Sequence, residues 1–214
     1  MSTLRITEIF YSLQGEARTV GLPTVFVRLT GCPLRCGYCD TEYAFHGGNV
    51  VDIEEIIKTV ASYDPRFVCV TGGEPMAQPN CVELLQQLCD AGYTVSLETS
   101  GAMPLDEVDS RVSKVVDLKT PGSGEVEKNL YSNINLLTDN DQVKFVICNR
   151  DDYQWAKFKL DEYRLVEKAG EVLFSPSFEQ TSAQELAEWI LEDNLPVRMQ
   201  IQLHKIIWGD KPGH

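Results

Sequence analysis

Apolar, β-branched runs alternate with amphipathic helical stretches along the whole of a 214-residue chain, and no Pro/Ser/Gly-rich linker interrupts them. That alternation narrows the fold more than any other property of the sequence. Strand, helix, strand is joined as a right-handed crossover between parallel strands, which makes the class α/β. Strands are expected at Arg5–Phe10, Thr24–Leu29, Phe67–Thr71, Thr94–Glu98, Lys114–Leu118, Gln142–Ile147, Val172–Phe174 and Val197–Gln202. Helices are expected over about Ile53–Ser62, with Asp52 as N-cap and Ile53, Ile56, Ile57 and Val60 as the buried stripe, and from Asn80 to Gly92. Two more cover Asp152–Lys168, ending at Gly170, and Ser182–Asp193, where Ser182 and Glu185 make a capping box. These elements imply a partial, TIM-like barrel of about six parallel strands with helices outside, plus an N-terminal strand, in a single domain over residues 1–214. With 43% hydrophobic residues, the chain can bury one substantial core.

The unusual polar sequences fall almost entirely just after those strands. A cysteine loop follows Thr24–Leu29, Thr71-Gly72-Gly73-Glu74-Pro75 ends the next strand, and Glu98-Thr99-Ser100-Gly101 ends the one after. Asp117–Gly124, Ser175-Pro176-Ser177 and Gln202-Leu203-His204-Lys205 close three more. In α/β sheets and barrels the C-terminal strand edge collects ligands and catalytic groups, so one face of the molecule is expected to carry the chemistry.

The cysteine loop is the most specific of these signals. Cys32, Cys36 and Cys39 stand at C-x3-C-x2-C spacing within Gly31–Thr41. Soft thiolates at this density suit an iron–sulfur cluster or zinc, and a disulfide scheme leaves one of the three over. Zinc needs a fourth ligand, for which His46 is the nearest candidate; a fully ligated electron-carrier cluster is the other alternative. Four irons on three cysteines leave one iron open to a small molecule with an amine and a carboxylate, the basis of radical chemistry with S-adenosylmethionine (SAM). The other cysteines read as core: Cys69 and Cys148 lie in apolar β-like runs, Cys81 and Cys89 on the apolar face of a helix.

Gly72-Gly73 lets backbone approach a ligand closely, and Pro75 stiffens the exit, leaving Glu74 at the mouth to recognise a charged amine; alone, the motif is an ordinary tight turn. Glu98 reads either as a ribose-binding carboxylate or as a rim carboxylate in water. Lys119 precedes a Thr-Pro-Gly-Ser-Gly loop that is either an anion cradle or simply flexible. The segment Glu125–Leu137 fits a short helix or a lid. A net charge of −13 without a Lys/Arg cluster argues against direct nucleic-acid binding. No apolar run is long enough to span a bilayer, and Met1-Ser2-Thr3-Leu4-Arg5 lacks a signal peptide's build, so the expectation is a cytoplasmic protein whose seven cysteines stay reduced.

The Cys32/Cys36/Cys39 spacing followed by Gly72-Gly73-Glu74-Pro75 resembles the radical SAM superfamily. Within it, Phe10-Tyr11-Ser12-Leu13-Gln14-Gly15-Glu16, the Arg28 strand, Cys39-Asp40-Thr41 and Gln202-Leu203-His204-Lys205-Ile206-Ile207-Trp208 resemble the 7-carboxy-7-deazaguanine synthase family over nearly the whole chain. An activase for glycyl-radical enzymes would share the cysteines and Gly-Gly-Glu-Pro but not the Gln14 and Cys39-Asp40-Thr41 motifs. A non-catalytic iron–sulfur or zinc protein would have no use for polar loops after successive strands.

The resemblance implies a [4Fe-4S] cluster, SAM and Mg2+ as cofactors. It also implies ring contraction of 6-carboxy-5,6,7,8-tetrahydropterin to 7-carboxy-7-deazaguanine with release of ammonia, on the route to queuosine and other deazapurines. An electron donor such as flavodoxin or ferredoxin and a homodimer are further family expectations. Residue by residue, Cys32, Cys36 and Cys39 would hold the cluster. Tyr38, Gly73 and Glu74 would meet SAM at its methionine side, Glu98 its ribose, and Lys119 with Ser175, Pro176, Ser177 and Phe178 its adenosine side, while Cys39 and Asp40 would add SAM contacts. Leu13, Gln14, Gly15 and Glu16 would meet the pterin, Arg28 would grip its carboxylate, and Thr71 and His204 would add substrate contacts. Thr41 would bind Mg2+ through its hydroxyl, the other positions going to substrate oxygens and water.

Overall fold

The computed structural model describes residues 2–209, 211 and 213; Asp210, Pro212 and His214 of the tail lie outside the described residues. Nine strands join in one sheet: β1 (Thr3–Leu13), β2 (Pro23–Leu29), β3 (Asn49–Asp52), β4 (Phe67–Gly72), β5 (Thr94–Thr99), β6 (Ser113–Asp117), β7 (Gln142–Ile147), β8 (Glu171–Pro176) and β9 (Arg198–Met199). Their spatial order is β3-β1-β2-β4-β5-β6-β7-β8-β9, leaving the sheet open with β3 and β9 at its edges. From β2 to β9 every neighbouring pair is parallel, while β1 and β3 add an antiparallel margin. Parallel strands covered on both faces read as continuous apolar runs, and Val25-Phe26-Val27 and Val68-Cys69-Val70 are buried at consecutive positions.

The helices are α1 (Ile53–Ala61), α2 (Cys81–Asp90), α3 (Arg150–Glu162), α4 (Leu165–Lys168), α5 (Ala183–Glu192) and α6 (Leu203–Trp208). The apolar stripes turn inward as the spacing requires: α1 buries Ile53, Ile56 and Val60, and α2 buries Cys81, Leu84, Leu85, Leu88 and Cys89. These side chains belong to one continuous core, in which truncating a leucine such as Leu84 to alanine costs about 2–5 kcal/mol. At α5, Ser182 Oγ accepts from Glu185 N and Glu185 Oε2 accepts from Ser182 N, each at 3.1 Å, closing the capping box.

Several local expectations give way to tertiary structure. Asp52 occupies the N-cap position of α1 but makes no capping hydrogen bond, because it also ends β3, opposite Thr3. The long third helix breaks in two where Arg164 takes a left-handed conformation (φ 52°). It also starts earlier, with Asn149 accepting from Asp152 N at 2.9 Å, which frees the Asp152 side chain to accept from Gly122 N at 2.8 Å, Thr120 Oγ1 at 3.0 Å and Cys148 N at 3.1 Å. The last expected strand shrinks to Arg198–Met199, and just past it the Gln200 side-chain amide bonds to the backbone of Ala17. Glu125–Leu137 forms short 3-10 helices, Val126–Lys128 and Tyr131–Leu136, pinned by Asn129 to Lys119 and by Asn133 to the carbonyls of Gly101 and Met103.

Candidate active site

A cavity opens at the C-terminal edge of the parallel strands, where the loops after β2, β4, β5, β6 and β8 converge with the end of β1 and with α6. Every residue to which the family resemblance gives a cluster, SAM, substrate or Mg2+ contact lines it except Glu74. Its floor carries Cys32, Cys36 and Cys39, all partly exposed and none in a disulfide. Burial pushes the three thiols up, Cys36 to about 11, and the Lys119 ammonium pulls each back toward the thiolate. Burial lowers Lys119 in turn, but the charges of Asp117 and Cys36 outweigh it, so the lysine stays firmly protonated. Its Nζ donates to Asp117 Oδ2 at 2.9 Å and lies 5.6 Å from the centre of the Tyr38 ring.

The glycine pair works through its backbone. A Cβ at Gly73 would sit 2.4 Å from the Gly31 carbonyl oxygen and 2.8 Å from Cys32 Cβ, so only glycine lets the two loops pass this closely. Glu74 is not at the mouth. It is fully buried, accepting from Met76 N at 3.0 Å, Thr99 Oγ1 at 2.9 Å, Ser100 N at 2.7 Å and the Ser100 hydroxyl, which saturates the carboxylate and ties the β4 loop to the β5 loop.

Glu98 stands between two residues assigned to the substrate side: it accepts from Gln14 Nε2 at 3.1 Å and from Thr71 Oγ1 at 3.0 Å. Arg28 commits Nε to Glu8 at 2.8 Å, under the rings of Phe10 and Tyr43, which leaves its two terminal nitrogens for a ligand. Glu16 pairs with Lys144 Nζ, itself 4.0 Å from Asp117 Oδ2. A largely buried chain of charges, Glu16, Lys144, Asp117 and Lys119, therefore runs from the loop after β1 to the cysteine side. Sequence reasoning passed over Asp117 and Lys144. A lysine between Val143 and Phe145, in the middle of a buried parallel strand, was the signal that could have found the latter.

At the cavity's rim, Thr41 Oγ1 donates to Asp40 Oδ1 at 2.8 Å. His204 packs so tightly on Gly15 that a Cβ there would fall 2.1 Å from Nδ1, and Leu203 N donates to the Gly15 carbonyl at 3.0 Å. Lys211 and Gly213 also line the cavity.

The radical SAM superfamily model matches residues 26–160. A 7-carboxy-7-deazaguanine synthase of Chlorobaculum tepidum is 45% identical over 209 residues, covering 96% of this chain and 94% of that protein. The chain belongs to this family of radical SAM enzymes. Another 7-carboxy-7-deazaguanine synthase, from Koribacter versatilis, is 42% identical over 96% of this chain and 97% of its own. The fold matches the crystal structure of QueE from Escherichia coli with a TM-score of 0.75, covering 94% of this chain and 95% of that one at 22% identity. Radical SAM enzymes carry a [4Fe-4S] cluster and SAM, and the cavity fits both. Three thiols face it, and Tyr38 OH, Asp117 Oδ1 and Ser175 Oγ are buried on its wall without a hydrogen-bond partner among the described residues. A single zinc ion fits less well, since no three His, Cys, Asp or Glu side chains among the described residues converge closely enough to hold one ion, and His46 is exposed and off the cavity. Among the described residues, no helix is long and apolar enough to cross a membrane.

Proposed function

We propose that the enzyme converts 6-carboxy-5,6,7,8-tetrahydropterin to 7-carboxy-7-deazaguanine and ammonia, using Mg2+ together with its cluster and SAM. The observation that carries this reading is that Gln14, Glu16, Arg28, Thr71, Glu98 and His204 line the same cavity as the three thiols. Arg28 offers a guanidinium fork to the pterin carboxylate, with Glu8 fixing its orientation. Gln14 donates to Glu98 through Nε2 and accepts from Glu16 N at 3.3 Å, which leaves one lone pair of its carbonyl oxygen and its second N–H proton for a heterocycle edge that both donates and accepts. Glu16, held by Lys144, presents an acceptor to the same edge. Glu98 serves the pterin side in this reading, because both of its partners lie there, in place of the ribose role read from the sequence. When bound, the cluster and SAM supply one-electron chemistry that begins with hydrogen-atom abstraction from the substrate. Thr41 is the protein's hydroxyl ligand for Mg2+, an ion that keeps water and substrate oxygens in its other positions. Electrons come from a flavodoxin or ferredoxin, and the active species is a cytoplasmic homodimer.

The test is product formation by anaerobically reconstituted protein given SAM, Mg2+, a reductant and the carboxytetrahydropterin. Deazaguanine product, lost in Cys36→Ala, supports the assignment. Formation of 5′-deoxyadenosine without the deazaguanine keeps the radical SAM chemistry and removes the substrate.

A further inference from the structure

Thr41 and the C-terminal segment are joined through one carboxylate. Asp40 accepts the Thr41 hydroxyl proton on Oδ1 at 2.8 Å, and its Oδ2 faces Gln202 Nε2 at 3.2 Å and Lys205 Nζ at 3.7 Å. A hydroxyl has one proton and two lone pairs. With the proton committed to Asp40, both lone pairs are left for a cation, and the carboxylate polarises the oxygen that would bind it. The Asp40 side chain is 42% exposed, so packing does not hold it in this pose. With its carboxylate open to solvent, the lysine–carboxylate contact adds little stability by itself. What it positions is the more consequential property.

The segment that supplies Gln202 and Lys205 is itself clamped to the ligand-bearing loops. The Gln200 side-chain amide makes paired bonds to the Ala17 backbone at 2.9 and 3.2 Å, Leu203 N reaches the Gly15 carbonyl, and Lys205 Nζ lies 4.3 Å from the centre of the Phe178 ring.

We propose that Asp40 is a positioning residue for the divalent cation, locked by Gln202 and Lys205, so that the cation site is complete only when the C-terminal segment is docked. This rests on Thr41 as the Mg2+ ligand in the function proposed above. Linkage makes the effect reciprocal: a cation that needs the docked segment also stabilises its docking.

The experiment measures Mn2+ binding by electron paramagnetic resonance, in reconstituted enzyme holding SAM and the carboxytetrahydropterin but no reductant, so that nothing turns over. Mn2+ shares the oxygen preference and octahedral geometry of Mg2+. Asp40→Ala is expected to weaken Mn2+ binding about 10–100-fold, the usual loss when a group that orients a metal ligand is removed. Asp40→Asn keeps an acceptor for Thr41 and should weaken binding less, and Gln202→Ala/Lys205→Met should weaken it in the same direction, all with normal iron content. Mn2+ should also slow hydrogen exchange at residues 203–208 in the unmodified enzyme and not in Asp40→Ala. If both Asp40 variants bind Mn2+ normally while Thr41→Ala does not, the proposal is overturned and the Thr41 reading stands. If Thr41→Ala also binds normally, both readings fall. Loss in the Asp40 variants with none in Thr41→Ala would make Asp40 the ligand and end its positioning role. Should Asp40→Ala fail to load iron, Asp40→Asn and the Gln202/Lys205 pair decide.

Discussion

Glu74→Gln separates two roles that the Gly-Gly-Glu-Pro motif allows. In the structure the carboxylate faces the framework: Oε1 accepts from Met76 N and Thr99 Oγ1, and Oε2 accepts from Ser100 N and the Ser100 hydroxyl. A glutamine keeps the shape but replaces one oxygen with an NH2 group. The hydroxyls of Thr99 and Ser100 can turn to accept from it; a backbone N–H, from Met76 or Ser100, cannot. One charge-assisted bond, at about 1.5–3 kcal/mol, is then lost and a buried donor is left orphaned, for a total of about 2–4 kcal/mol. In a protein of this size each kcal/mol moves Tm by about 2–4 °C, so the expected fall is roughly 5–15 °C. The assay is thermal unfolding of the cluster-loaded enzyme followed by circular dichroism, with SAM affinity measured well below the midpoint. An unchanged Tm with SAM binding weakened tenfold or more would show that the carboxylate serves the ligand, and would refute the framework role.

Three further outcomes are expected. Gly73→Ala forces a Cβ to within 2.4 Å of the Gly31 carbonyl oxygen, displacing the start of the cysteine loop; iron content after reconstitution should fall well below stoichiometric, and full loading would contradict the contact. Lys144→Met leaves Glu16 and Asp117 without their shared cation, a break that costs about 3–5 kcal/mol in buried pairs; substrate KM should rise more than tenfold, with partial recovery in Lys144→Arg, and an unchanged KM would remove Glu16 from the pterin edge. Burial pushes the Cys81 thiol up to about 12, so the folded state holds that proton more tightly than the unfolded chain does. The resulting stability is intact below about pH 9 and lost as pH rises through about 12. Urea midpoints should therefore drop between pH 8 and pH 11, less steeply in Cys81→Ala, and identical slopes would reject the assignment.

Most of the fold was legible because its elements are stabilised locally or by simple periodicity. The apolar runs of β2, β4 and β7 and the stripes of α1 and α2 leave few alternatives, and the Ser182 capping box needs only four residues. What was not legible depends on contacts from far along the chain. The short β3 strand, Asn49–Asp52, has no apolar alternation to mark it and exists because β1 is there to pair with it. Arg164's left-handed turn inside an otherwise helical stretch has no glycine to announce it. In the site, the cysteines and loop positions could be read from spacing, but not the direction in which a side chain points. Glu74 looks the same in sequence whether it faces a ligand or the Thr99-Ser100 backbone. Asp117 and Lys144 acquire meaning only because β6 and β7 lie side by side, in a register that sets them opposite each other.

The bond between Ala17 and Gln200 spans 183 residues, and this bears on the order in which the molecule is made. The cysteine loop is tied first to β4, through Glu74 N on the Gly31 carbonyl, and also to Glu125, 90 residues on, through Arg35 N. The loop after β1 waits for a contact about twice as far along the chain, with no local nucleus to start it, at an added closure cost of about 0.6 kcal/mol for the doubling. During folding, then, the tie between the cysteine loop and β4 can form before the contact between Ala17 and Gln200.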